Sequence, residues 1–171
     1  QVHAAPGHDP HSVVLFEPQA RILLSADALW ENGFGVVFPE LEGAQAFADV
    51  AATFDLIERL APRTVVPGHG PVFHDAPRAL ASARQRLEGF VRSPAKHALY
   101  AAKVLLKYKL LEWQQIARAD LLAWATATPY FGMLHARYFS EQALTGWLDA
   151  LAQDLVRSGA ATREGDVLHN A

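Results

Sequence analysis

The chain has no cysteine. That excludes a disulfide framework and removes thiolate from any metal chemistry, leaving histidine and carboxylate as donors. It also suits a cytoplasmic location. No apolar run reaches the roughly 18 residues a membrane-spanning helix needs, so no membrane role is expected. Charge is sparse: charged residues make up 19% and the formal net charge is −3, which disfavours a general polyanion binder. No internal repeat and no low-complexity segment interrupts the sequence. What remains is apolar. Hydrophobic residues are 51% of 171, enough to bury a sizeable core and to exclude disorder. A chain of this length holds one domain, or a half-domain followed by a small second one.

Three short stretches stand out: Pro6-Gly7-His8-Asp9, Ser25-Ala26-Asp27-Ala28-Leu29 and Pro67-Gly68-His69-Gly70-Pro71. Each sets one potential metal ligand beside an apolar, strand-like run, with turn-forming Gly or Pro next to both histidines. Imidazole and carboxylate suit a zinc-type ion. Ligands at the ends of buried strands are held still, as a metal site requires.

In order and spacing these stretches resemble the second half of the metallo-β-lactamase superfamily. The resemblance covers roughly the first 75 residues well and the remainder loosely. It implies that His8 is the last histidine of a first metal site, that Asp27 bridges two metals, and that His69 completes the second site. Ala26 stands where the family usually has Gly, an exchange that is sterically acceptable if its φ is negative. The family's His-x-His-x-Asp-His string is absent, and the sequence starts at Gln1 rather than Met. The chain is therefore expected to be the C-terminal portion of a longer protein. Three ligand positions cannot give two zinc ions four ligands each, even with Asp27 counted twice. The isolated chain is expected to be inactive and to need the missing N-terminal half as its partner. One face of its sheet should then be exposed, which favours association.

The implied chemistry is hydrolysis. Two zinc ions, or iron or manganese in their place, would generate hydroxide at neutral pH to attack a thioester or carboxylic ester. The general acid of the family lies in the missing motif, so no catalytic group beyond the metal ligands is assignable here. His11 and His74 are candidates for a hydrogen bond to a ligand or a contact to substrate, although an ordinary strand-start histidine describes His11 better. His3, His97, His135 and His169 have no ligand-like spacing.

The resemblance implies an α/β fold: the second half of an αββα metallo-β-lactamase sandwich over residues 1–93, then a small winged-helix-like domain over 94–171. The residue pattern gives strands at Ser12–Phe16 and Arg21–Leu24, then an irregular loop over Glu31–Gly43. Phe47, Val50, Phe54, Ile57 and Leu60 mark an amphipathic helix within Ala44–Leu60, stopped by Pro62. Thr64-Val65-Val66 is a strand that delivers His69. Asp75 caps a helix running to about Arg92, and Ser93-Pro94 is the boundary. Helices are expected over Lys96–Leu111, Ile116–Ala127 and from a Ser140 cap to Val156, followed by a hairpin turning at Glu164-Gly165-Asp166.

Two other readings belong to different classes. A winged helix on this fold could serve a nuclease acting on RNA, with Lys103, Lys107 and Lys109 as a small basic patch. The segment Glu141–Arg157 opposes it, because three acidic residues face one basic residue there. Trp113, Trp124, Trp147, Tyr130 and Phe131 sit on helical stripes and read as core rather than as a base-stacking platform. The other reading is a metal-free interaction module that forms a homodimer through Ala-rich helices such as Ala95–Leu111.

Overall fold

The structure is a computed structural model that describes residues 1–171. It is mixed α/β and divides into two compact units, Gln1–Pro94 and Ala95–Ala171. No helix is long and apolar enough to cross a membrane.

The first unit is built on a four-stranded sheet of β1 (Val2–Ala4), β2 (Val13–Glu17), β3 (Ile22–Ala26) and β4 (Thr64–Pro67), in that order. β1, β2 and β3 pair antiparallel, whereas β3 and β4 run parallel. The parallel pair demands a crossover, which α1 (Phe38–Leu41) and α2 (Phe47–Leu60) supply before α3 (Ala76–Arg92) packs beside α2. Strand periodicity sorts the two faces. Val14, Phe16, Leu23, Ser25 and Val65 are buried, as are Val50, Phe54 and Ile57 of α2 and Ala79, Leu80, Ala83 and Leu87 of α3.

The opposite face of the sheet is open. Cross-strand register aligns Val2 with Leu15, Leu15 with Leu24, and Leu24 with Val66. These four side chains form one apolar row, exposed by 69%, 42%, 43% and 36% respectively. Apolar surface left in water in this way forgoes about 25 cal/mol per Å² of burial.

In the second unit, α4 (Pro94–Trp113, all but its first residue) leads into β5 (Gln115–Ala117), α5 (Arg118–Ala127), α6 (Pro129–Tyr138), α7 (Leu144–Arg157) and the hairpin β6 (Ala161–Glu164)–β7 (Val167–Asn170). The small sheet has the order β5-β7-β6, antiparallel throughout. Gly165 takes the positive φ, 59°, that a two-residue hairpin turn asks of its first central residue. Phe131, Leu134, Trp147, Leu148, Leu151 and Leu168 lie in the core. Phe139 stacks on Trp147 with ring centroids 4.9 Å apart.

Several local expectations change. Ile116 opens no helix; it lies on β5 opposite Leu168, where pairing buries it. α6 goes unforeseen, although Pro129 sits at its start, where a missing N–H costs nothing. Ser140 caps nothing: α7 begins after Ala143, because residues 139–142 form a turn closed by Gln142 N–H to Phe139 O. The loop before α2 contains the short α1. α2 itself starts at Phe47, where the Glu40 carboxylate accepts the Ala46 and Phe47 N–H groups.

The three lysines of the expected basic patch are all engaged within the second unit. Lys103 lies 3.7 Å from Asp154, and Lys109 pairs with Glu112 beneath the Trp113 ring. Lys107 donates to Ala160 O at 2.6 Å, Asn170 Oδ1 at 2.6 Å and Ala171 O at 2.9 Å. All three of its protons are used to tie the last strand to the end of α7. Replacing Lys107 by Met should therefore lower the unfolding free energy by about 2 kcal/mol, read from guanidinium denaturation followed by tryptophan fluorescence.

Candidate metal centre

The parallel pairing of β3 and β4 ends with Ala26 opposite Pro67, so both strands deliver their following loops at one edge of the sheet. Asp27 follows β3 and His69 follows β4. His8 arrives from the loop after β1. Gly7 in that loop has φ 149°, and a Cβ there would stand 2.7 Å from Val50 Cγ2, so only glycine lets the loop lie on α2. Thr53 of α2 secures the same loop by donating from Oγ1 to Pro6 O at 3.0 Å.

The structure brings His8, Asp27 and His69 together around one carboxylate. His8 Nε2 lies 3.5 Å from Asp27 Oδ2, and His69 Nε2 lies 3.5 Å from Asp27 Oδ1. Each histidine faces its own carboxylate oxygen. His8 Nδ1 is 2.7 Å from the Val36 carbonyl, which can only accept, so that nitrogen carries a proton and Nε2 turns toward Asp27. A Cβ on Gly35 would fall 2.8 Å from His8 Nδ1 and 2.9 Å from Asp27 Cβ; any side chain there would push the two apart. Trp30 Nε1–H donates to Asp27 Oδ1 at 3.2 Å, and its ring meets the His69 ring edge-on at 5.2 Å between centroids. The site is open to solvent, with the His8, Asp27 and His69 side chains 30%, 28% and 55% exposed.

Imidazole and carboxylate are donors a zinc-type ion accepts. At 3.5 Å both contacts are longer than a charge-assisted hydrogen bond, about 2.7–2.9 Å. They approach the roughly 3.3 Å that separates two ligands of a tetrahedral zinc ion. The match is partial. No group of three or more His, Cys, Asp or Glu side chains is arranged to hold a metal ion by itself. His8, Asp27 and His69 would hold a metal only together with further donors from elsewhere.

His11 and His74 make their contacts elsewhere. His11 is exposed in the turn that the Asp9 carboxylate closes by accepting its N–H at 2.7 Å. His74 Nδ1 lies 3.2 Å from Thr64 Oγ1, at the end of β4 opposite His69. Trp30 and the Val36 carbonyl escaped the sequence reading. Trp30 follows Asp27 by three residues and carries a neutral N–H donor that suits a carboxylate edge. Val36 contributes through its backbone and leaves no residue-type signal.

Ala26 departs from expectation. Its φ is 47°, in the left-handed region, where β3 breaks register beside β4. The bend turns Asp27 toward His8 and His69, and for a residue with a Cβ it costs on the order of 1–2 kcal/mol. Ala26→Gly should accordingly raise the unfolding free energy by about 1 kcal/mol, measured by circular dichroism in guanidinium without metal.

The fold and site together define a mixed α/β chain whose sheet edge presents two histidines to a shared carboxylate. Residues 1–69 match the family model described as the metallo-beta-lactamase superfamily. Members are mostly hydrolases that bind metal ions. No curated protein matches. Among solved structures, a metallo-beta-lactamase family protein from Thermus thermophilus is 20% identical, with a TM-score of 0.39 over 100% of this chain and 49% of the other. A beta-lactamase domain protein from Burkholderia ambifaria is 19% identical, with a TM-score of 0.47 over 100% of this chain and 47% of the other. The chain thus spans about half the length of these proteins.

Proposed function

We propose that this chain supplies one half of a metal-dependent hydrolase site for a thioester or carboxylic ester, and that a second segment completes it. The observation that carries this reading is the pair of 3.5 Å contacts from His8 and His69 to the two oxygens of Asp27. Zinc-type cations bound there would lower the pKa of water toward neutrality and polarise a carbonyl oxygen. The chain's own residues have simpler tasks. His8 is oriented through its Nδ1–H to the Val36 carbonyl, which leaves Nε2 for ligation. Asp27 would supply the negative charge that balances cations held there. His69, the most exposed of the three, closes the outer side.

The missing ligands and the open sheet face point to the same partner. A further segment whose sheet covers the row Val2, Leu15, Leu24 and Val66 would bury that apolar surface and bring additional donors to the edge bearing Asp27. The second unit, with helices followed by a hairpin and β5 paired to β7, is read as a winged-helix-like domain. A nucleic-acid role for it has little support. Besides the engaged lysines, Arg118, Arg157 and Arg163 pair with Asp149, Asp154 and Asp166. The hydrogen bond from Arg118 holds the Asp149 carboxyl below its ordinary pKa, so this pair stays ionised.

The reading is tested on the chain stripped with chelator and titrated with zinc, with binding followed by calorimetry. Because His8, Asp27 and His69 are only part of a ligand set, weak uptake that falls further in Asp27→Ala is expected. Uptake in Asp27→Ala equal to that of the wild type would falsify the shared-carboxylate site.

A further inference from the structure

We infer that Trp30 is a positioning residue for the metal centre, holding the Asp27 carboxylate and the His69 imidazole in register with each other. The inference rests on the metal-site reading above. Asp27 must present one oxygen to each histidine, yet a carboxylate on a turn rotates about two torsions and nothing in its own backbone stops it. The indole N–H of Trp30 bonds Oδ1 at 3.2 Å, and Oδ1 is the oxygen facing His69. A carboxylate oxygen has two lone-pair directions, so it can accept this bond and still ligate. The same indole meets the His69 ring edge-on, 76° from coplanar, limiting how far that imidazole can swing. One side chain therefore restrains both donors on the outer half of the site, where exposure is greatest.

Trp30 is itself held. Its backbone N–H bonds Gly33 O at 2.7 Å, and Gly35 N–H bonds Asp27 O at 2.8 Å, so residues 27–35 close into a compact loop. Ser25 Oγ, fully buried, donates to Leu29 O at 2.6 Å beneath it. On the far side Gly33 lies against the Arg86 guanidinium, where an added Cβ would stand 2.7 Å from Nη1. Arg86 in turn lies over the Phe34 and Phe90 rings at 5.8 and 5.4 Å from their centroids. A neutral donor suits this place better than Lys or Arg, because it orients the carboxylate without adding a positive charge that would oppose a cation.

The variant is Trp30→Phe, which keeps an aromatic ring on this loop and removes the indole N–H together with the five-membered ring that carries it. Cobalt(II) is titrated into the full wild-type and variant chains, with the visible absorption of the ion and the unfolding midpoint of the metal-free protein both recorded. We expect the dissociation constant to rise about tenfold or more, an altered cobalt spectrum, and an unchanged metal-free midpoint. A merely structural role would lower the midpoint and leave the spectrum of the bound ion alone. In parallel, Asp27→Ala should move the indole N–H resonance of Trp30 in nitrogen-15 spectra. Equal cobalt affinity and spectrum in Trp30→Phe would overturn the positioning role while leaving the metal site intact. A wild-type chain that takes up no cobalt would overturn both readings. A Trp30 resonance indifferent to Asp27→Ala would remove the contact on which the inference stands.

Discussion

The parallel pairing of β3 with β4 is the constraint on which the rest depends. Parallel strands present their carboxyl ends on the same side, so residues far apart in sequence leave the sheet next to each other. Here the residues leaving are Asp27 and His69, with Ala26 and Pro67 as the last paired positions. The crossover that parallel pairing requires is α2, and α2 also supports the third member of the site: Val50 and Thr53 hold the loop that carries His8. One topological choice thus places Asp27 and His69 directly and His8 through the helix it obliges.

Strain and close packing then refine what topology delivers. Ala26 takes a left-handed backbone conformation at the break in β3, which turns the Asp27 side chain back over the sheet edge. Gly35 fills the space between His8 and Asp27 without a side chain, and a Cβ on Gly68 would stand 3.1 Å from both the Ala26 carbonyl and Asp27 Oδ1. Such arrangements cost stability locally and are tolerated where the surrounding contacts over-determine them. Trp30 and the Val36 carbonyl act at the same scale, fixing a carboxylate and an imidazole by single hydrogen bonds.

Unequal treatment of the two sheet faces is the other consequence. The inner face is packed by α2 and α3, whereas the outer face carries an aligned apolar row. A sheet face of that character in water is a surface for association. The second unit shows the opposite balance: most of its lysines and arginines are matched by carboxylates and carbonyls, and little charge is left over for a polyanion.

The three side chains that the structure gathers, His8, Asp27 and His69, stood out in the sequence. Pro-Gly-His, Ala-Asp-Ala and Pro-Gly-His-Gly-Pro advertise ligands at strand ends because each sets a donor beside a turn and an apolar run, all short-range features. The amphipathic α2, the Asp75 cap of α3 and the Gly165 hairpin were legible for the same reason. Ile116 on a strand, the start of α7 after Ala143 and the positive φ of Ala26 were not. Ile116 and Ala26 are decided by distant partners, β7 opposite one and β4 beside the other, and the start of α7 by the turn that Gln142 N–H closes on Phe139 O. The sequence by itself determined which imidazole and carboxylate groups stand beside turns at strand ends, because residue identity and local turn chemistry are written residue by residue. Only the tertiary structure decided that two histidines face separate oxygens of one carboxylate and that an indole N–H orients it, because these relations exist between side chains brought together by strand pairing.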